Sequence, residues 1–312
     1  MRVLVIGAGA LGGYFGARLI EAGRDVTFLV RPRRATELKD GLVVKSPAGD
    51  ITIAKPQLVT ADKLTTPFDL ILLSCKAYDL EDAMAAFAPA VGPNTAILPL
   101  LNGMAHLDAL NTRFGKAGVL GGQCVISATL DAAGHVLHLA EMQSLTFGEQ
   151  DGGPSERTKA VAATLSGAKF TVVASDVILQ DMWEKWVFIT SGAGMTCLMR
   201  GPIGDIVTAG GADLAVALVE ECAAIASKNG FAPRAAMLDR ARTMVTTPGS
   251  PMTASMLRDI ERGSRTEADH VLGDLIRRGG DAVGKTSMLR IAYVHIKAYE
   301  ARRQREQGAV KA

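Results

Sequence analysis

The chain opens on VLVIGAGALGGYFGARLIEAGRDVTFLVR, and no other stretch constrains its fold as strongly. Val3 to Ile6 is a short aliphatic run of the kind that forms a strand buried on both faces. Gly7, Gly9 and Gly12 follow as GxGxxG at the head of a helical pattern that continues to about Glu21, with Gly23 just past its end, and Asp25 to Val30 is the next strand. Strand, glycine turn, helix and strand make a βαβ unit with parallel strands. In that setting the first glycine makes a tight turn, the second lets a pyrophosphate approach the main chain, and the third allows helix and strand to pack closely. Gly7, Ala8, Gly9, Ala10, Leu11 and Gly12 are therefore candidates for a dinucleotide site, with N–H groups and the positive end of a helix dipole available to phosphates.

Where a site for NAD places Asp or Glu after the second strand, this chain has Arg31. A guanidinium there pairs with a ribose 2′-phosphate, so the position selects NADP (NADPH). Arg33 and Arg34 either assist it or are solvated loop charges. Asp69 to Ser74 reads as a further buried strand running into Cys75 and Lys76, and Thr95 to Leu100 as another leading to Asn102 and Gly103. Ligands bind outside the carboxyl ends of the strands in open parallel sheets, which is the edge expected for Gly7, Arg31, Lys76 and Asn102. From Gly118 the pattern changes. VLGGQCVISATL, HVLHLA and SLTFGE read as short antiparallel strands added to the parallel sheet, followed by a helix near Ser155 to Ser166 and a strand at Phe170 to Val173.

A length of 312 residues suits two domains, here 1–175 and 176–312. After Ser175 the pattern is almost wholly helical, broken at Gly201-Pro202, Gly230 to Pro233, Pro248 to Pro251 and Gly279-Gly280. Within it, DMWEKWVFITSGAG holds both tryptophans of the chain around Lys185, which shares a helix face with Met182, Phe188 and Ile189. An ammonium in apolar surroundings needs a partner or a ligand. The alternative is a stem packed on tryptophan with the head in solvent or on Glu184. In SMLRDIERGSRTEADHVLGDLI, Leu257, Ile260, Ser264, Glu267, Val271 and Leu275 recur at steps of three and four, which places Glu267 amid the apolar face of one helix. Glu267 and Lys185 could then satisfy each other, directly or through a substrate. Ser255, near the start of that helix, either receives a carboxylate or caps the helix.

A net charge of +2 argues against a general nucleic-acid binder. Cys75, Cys124, Cys197 and Cys222 never fall in CxxC spacing and the five histidines are dispersed, so neither a disulfide framework nor a metal site is expected. No apolar run reaches membrane-spanning length and the apolar start lacks the features of a signal peptide, which points to a cytoplasmic protein. The apolar helices of the second half would serve either a homodimer interface or the domain's own core.

In order and spacing these motifs resemble the ketopantoate reductase (2-dehydropantoate 2-reductase) family over nearly the whole chain. The likeness is carried by GAGALG, LVR at Arg31, SCKAYD at Lys76, LLNGM at Asn102, the GHVLH hairpin with Gly148 after it, MWEKW at Lys185, and SMLRDIERGSRTE with Ser255 and Glu267. It implies an α/β Rossmann-type N-terminal domain followed by an all-α C-terminal domain, 6-phosphogluconate dehydrogenase-like. It also implies NADPH-dependent reduction of 2-dehydropantoate to pantoate, on the path to pantothenate and coenzyme A. Lys185 would be the general acid that protonates the ketone oxygen as hydride reaches C2. Glu267 would place substrate and lysine and border the cofactor, Ser255 would contact substrate, and Asn102 and Lys76 would line the cofactor and reaction centre. Family members carry substrate-side asparagines where this chain has Ile189, Ala193, Ile203 and Met252. Each loss removes a hydrogen bond to a hydroxylated acid. Two other readings therefore stand beside the first: a paralogous reductase of a more apolar 2-oxo acid or ketone, and an NADPH-binding sensor without turnover, against which the retained Lys185 and Glu267 argue.

Overall fold

The computed structural model describes residues 1–309, which divide into two compact units. One comprises Met1–Leu101 and His106–Leu179, and the other Asn102–Ala105 and the chain from Gln180 onward. The first runs β1 (Arg2–Ile6), α1 (Ala10–Glu21), β2 (Asp25–Leu29), α2 (Pro32–Glu37), β3 (Leu42–Lys45), β4 (Ile51–Ile53) and β5 (Gln57–Val59). It continues with β6 (Leu70–Leu73), α3 (Leu80–Phe87), β7 (Ala96–Pro99), α4 (Ala105–Phe114), β8 (Gly121–Leu130), β9 (Val136–Gly148), α5 (Glu156–Leu165) and β10 (Thr171–Ala174).

Two sheets organise this unit. The first is parallel throughout, in the order β5-β2-β1-β6-β7, so the strand order reverses beside β1. Every residue of β6 and β7 is buried, as their unbroken apolar sequences require. The second sheet has the order β10-β9-β3-β4, with β8 antiparallel to β9. Helix α1 lies between the sheets. A Cβ on Gly16 would collide with the Phe28 ring of the first, and one on Gly13 would come within 2.8 Å of Val136 in the second. Phe15 meets Phe170 edge-on at 5.0 Å, and Tyr14 lies 4.7 Å from the His138 ring. That double burial explains why Gly12 to Leu19 form a continuous buried stretch with no solvent face.

The antiparallel strands thus form a separate sheet and are not added to the parallel one, which they reach through the bridge between Ile97 and Val119. HVLHLA and SLTFGE are a single thirteen-residue strand, β9. Its polar middle reads as a break because the register with β8 shifts there: Ile126 pairs with Gln143, but Ala128 with His138, so the extra residues of β9 bulge out. The long strand spends its hydrogen bonds on β8, β10 and β3, which is why it builds its own sheet. Strands β3 to β5 are only three or four residues long and go unread in the sequence.

The second unit contains α6 from Gln180 on (Ile178–Met199 in full), α7 (Ile203–Thr208), α8 (Ala212–Lys228), α9 (Ala235–Thr246), α10 (Ser255–Glu261), α11 (Asp274–Gly279) and α12 (Met288–Ala309). The single helix expected to carry Leu257 through Leu275 is instead two. Helix α10 ends in a Schellman turn: Gly263, at φ +66°, donates to Ile260 O (3.0 Å) and Ser264 N donates to Asp259 O (2.8 Å). The chain then runs irregularly to a π-helical turn, Asp269–Gly273, which leads into α11. Leu257, Ile260, Val271 and Leu275 are all buried, so their spacing reports burial on two successive helices and not one continuous face. Glu267 accordingly lies in the connecting segment, where its carbonyl accepts from His270 N (3.1 Å) and Val271 N (2.9 Å).

Candidate active site

At the end of β1, Gly7 turns with φ +88° and donates to Leu29 O at 2.9 Å. A methyl group on Gly12 would overlap the Gly7 carbonyl and the Ser74 hydroxyl, and that hydroxyl donates to Ile6 O at 2.8 Å. The ends of β1 and β6 and the first turn of α1 are thereby locked together. On the other side the turn is open: a Cβ on Gly7 or Gly9 would meet nothing within 4 Å. Gly9, the cap residue of α1, supplies no side-chain cap, which leaves the first-turn N–H groups of Ala10, Leu11 and Gly12 without a side-chain acceptor. The turn sits where the strand order reverses, and its shape and donors fit a pyrophosphate.

The three arginines after β2 divide sharply. Arg34 has a side chain only 15% exposed and is structural: it donates to Ala8 O (3.0 Å), to Gly134 O in the β8–β9 turn (2.9 Å) and to Glu37 (3.1 Å). Arg33 is exposed and pairs with Glu37 on its own helix. Arg31 is 70% exposed and reaches Asp79 at 3.1 Å, leaving much of its guanidinium open to an anion. Lys76 follows β6, half-buried, at the head of the 3₁₀ turn Ala77–Asp79.

In the helical unit α6 carries Lys185, half-buried, between its two tryptophans in sequence. Trp183 and Trp186 are buried, 4.8 Å apart; Trp183 stacks on Phe231 at 5.3 Å, and the Arg278 guanidinium lies 5.9 and 5.8 Å from the two rings. Glu184 is occupied by Arg234, accepting from its N and Nε (both 2.8 Å) and from Nη2. Burial would raise that carboxyl's pKa, but the Arg234 bonds hold it below the ordinary value. Lys185 instead donates from Nζ to Asn102 Oδ1 at 2.9 Å. Asn102 follows β7 in sequence yet belongs to the helical unit, and its main chain is hydrogen-bonded by the half-buried His270, which nothing in the sequence distinguishes from the other four dispersed histidines.

Helix α12 clamps the segment bearing Glu267. Glu300 accepts from Thr266 N (3.2 Å) and Oγ1 (2.5 Å), Tyr299 donates to Ser264 O (2.8 Å), and Arg303 donates to Gly263 O (2.6 Å). Beyond Glu267, Asp269 receives Tyr293 Oη (2.7 Å) and Lys297 Nζ (2.8 Å). Ser255 is the exposed first residue of α10, and the cap position belongs to Ala254, so the capping role is not taken up. Of Ile189, Ala193, Ile203 and Met252, Ile203 is fully buried and Ala193 is 4% exposed. Ile189 and Met252 stay half-open, the latter bonded through its carbonyl to Ile203 N at 3.0 Å.

Family comparison bears directly on this arrangement. The model of the ketopantoate reductase PanE/ApbA family matches residues 3–152, and that of the family's C-terminal region matches residues 177–300. The chain belongs to the ketopantoate reductase family. It is 38% identical to an uncharacterized oxidoreductase, YkpB, of Bacillus subtilis, over 96% of this chain and 99% of that one. Among solved structures, 2-dehydropantoate 2-reductase from Methylococcus capsulatus superposes with a TM-score of 0.85 at 28% identity, covering 97% and 98% of the two chains. D-mandelate dehydrogenase, solved with NADH and anilino(oxo)acetate, shares the fold with a TM-score of 0.86 at 21% identity, over 97% and 100%.

As a member of the ketopantoate reductase family the protein is an oxidoreductase acting on a keto or CH–OH group of a small molecule, with a nicotinamide cofactor. Among the described residues no helix is long and apolar enough to cross a membrane, and no cluster of three or more His, Cys, Asp or Glu side chains could hold a metal ion. What the site offers is a cation on a rigid helix, held at a defined place by a carboxamide. Such a group can stabilise charge developing on a carbonyl oxygen and supply the proton that neutralises it.

Proposed function

We propose that the protein reduces a small 2-oxo acid with NADPH, and that ketopantoate, giving pantoate for pantothenate and coenzyme A, is its substrate. The observation that carries this reading is the half-buried Lys185 ammonium, presented to Asn102 at 2.9 Å. With the dinucleotide's pyrophosphate held at the glycine turn, its nicotinamide would supply the hydride. As C2 is reduced, the ketone oxygen gains negative charge and Lys185 transfers a proton from Nζ to it, to be reprotonated from solvent after the alcohol leaves. Glu267, on its clamped segment, orients substrate and lysine, and Ser255 contacts the acid. Lys76 and Asn102 border the cofactor. The exposed Arg31 supports NADPH over NADH, since its guanidinium can exchange the Asp79 carboxylate for a 2′-phosphate. Scattered cysteines, none in a disulfide, suit a cytoplasmic enzyme.

A second reading has its own support. Ile189 and Met252 are the two replacements that remain half-open, and apolar groups there favour a 2-oxo acid or ketone with a less polar side chain. Comparing kcat/KM for ketopantoate with that for branched aliphatic and aryl 2-oxo acids separates the two. A clear advantage for ketopantoate upholds the first reading, and an advantage of an apolar acid by tenfold or more, roughly the discrimination that one or two pocket groups provide, installs the second.

A further inference from the structure

The turn Asp269–Gly273 is π-helical. A π turn accommodates one residue more than an α turn, displaces the helix's own hydrogen bonds and recurs at functional sites. Here it faces two partners in the same unit. Val271 O accepts Trp186 Nε1 at 2.9 Å and lies 3.5 Å from Thr190 Oγ1, and both donors belong to the helix that carries Lys185. His270, one residue earlier, hydrogen-bonds the main chain of Asn102. It also packs so closely on Gly103 that a Cβ there would lie 3.0 Å from His270 O and 3.2 Å from its ring Cδ2. Gly103 has φ +82°, a second reason for glycine at that place.

These contacts close a ring: Lys185 Nζ on the Asn102 side chain, Asn102 main chain on His270, His270 joined to Val271, Val271 on Trp186, and Trp186 next to Lys185 in the helix. We propose that His270 is a positioning residue for the reaction: by holding the Asn102–Gly103 turn it sets where the carboxamide holds the Lys185 ammonium, and so the place from which the proton is given. The inference rests on the reading of Lys185 as the proton donor. Its character suits the task. Burial drives the His270 ring toward its neutral form, a tendency that Glu267, Asp274 and the Asn102 bond oppose and Arg278 reinforces, so the ring can position the ammonium without placing a second cation beside it.

The test compares His270→Phe, His270→Asn and His270→Gln with Lys185→Ala, reading kcat and KM for the best oxo acid, NADPH affinity by fluorescence, melting temperature, and the rate at which an amine-reactive reagent labels Lys185 in the cofactor-free protein. His270→Phe should lower kcat roughly 10- to 100-fold with NADPH affinity within about twofold, the scale of a reacting group displaced by about 1 Å. It should also label Lys185 several times faster. One of the two amide variants, carrying its N–H where one ring nitrogen stood, should recover most of both effects. Unchanged kcat and labelling in His270→Phe, alongside an inactive Lys185→Ala, would overturn the role of His270 alone, whereas turnover surviving in Lys185→Ala would remove the reading beneath it. Should His270→Phe not fold, the amide pair decides: loss of kcat with faster Lys185 labelling in one or both variants supports the proposal, and a well-folded pair in which Lys185 is labelled at the wild-type rate contradicts it.

Discussion

Lys185 shows how much a single residue can reveal. An ammonium between two tryptophans on a helix without a plainly polar face poses the question of its partner, and the sequence leaves open a buried partner or a head in solvent or on Glu184; the partner found, Asn102 at 2.9 Å, lies 83 residues away along the chain and gives no local signal. Arg31 is legible for a similar reason, as a cation where a carboxylate is the usual choice. Its neighbours Arg33 and Arg34 have the same composition and opposite fates, and only the structure separates the solvent-facing one from the one tied to Ala8 and Gly134. Two predictions belong to this scale. Arg31→Ala should weaken NADPH binding roughly 10- to 100-fold while leaving NADH within about twofold, as expected for loss of a charge-assisted bond to phosphate; titrating both cofactors checks it, and equal losses would mean that Arg31 does not read the 2′-phosphate. Gly12→Ala should abolish detectable cofactor binding, because its methyl would overlap the Gly7 carbonyl and the Ser74 hydroxyl; calorimetry with NADPH would reveal any surviving affinity.

Secondary-structure elements are readable where their patterns are uniform and unreadable where burial and continuity part company. The parallel strands β1, β6 and β7 follow from unbroken apolar runs and β2 from an apolar pattern interrupted at Thr27, whereas β9 is divided by its own bulge and the apolar spacing through Glu267 runs on across a Schellman turn. The clamp on the Glu267 segment arises from α12, whose residues are distant in sequence and give no local signal. Glu300→Ala releases Thr266 N and Oγ1 and should raise KM for the oxo acid several-fold with NADPH affinity unchanged, which steady-state kinetics in both substrates will show. The bond between α6 and the start of α9 makes a pH prediction. Glu184 carries a folded-state pKa below its ordinary 4.5, so its stabilising effect is complete above that value and is lost as the pH falls through the lower folded value. Melting temperature should therefore drop more steeply below about pH 4.5 in the wild type than in Glu184→Gln. At neutral pH, Arg234→Ala should cost roughly 2–3 kcal/mol, because it leaves a buried carboxylate without its cation; denaturant unfolding measures that directly.

At the scale of the molecule, the division of labour is visible in the change from alternating strands and helices to helices alone. What the sequence pattern does not convey is the second sheet, which turns α1 from a surface helix into one enclosed between two sheets. Nor does it convey that Asn102–Ala105, though it follows the last parallel strand closely, packs with the helical unit. That short excursion places Asn102 in the same unit as Lys185, His270 and Glu267, so the candidate reaction centre is largely built within one compact body. The ketopantoate reductase family supplies the class of reaction, and the half-open, apolar Ile189 and Met252 are the positions on which the second substrate reading rests. The central claim is that Lys185 gives the proton, and it is tested most directly by single-turnover NADPH oxidation at saturating 2-oxo acid in the wild type and in Lys185→Ala. A loss of roughly 10²- to 10⁴-fold in the rate of that step, with NADPH still bound, is the result expected for removal of a general acid. A rate within a few-fold of wild type would contradict it.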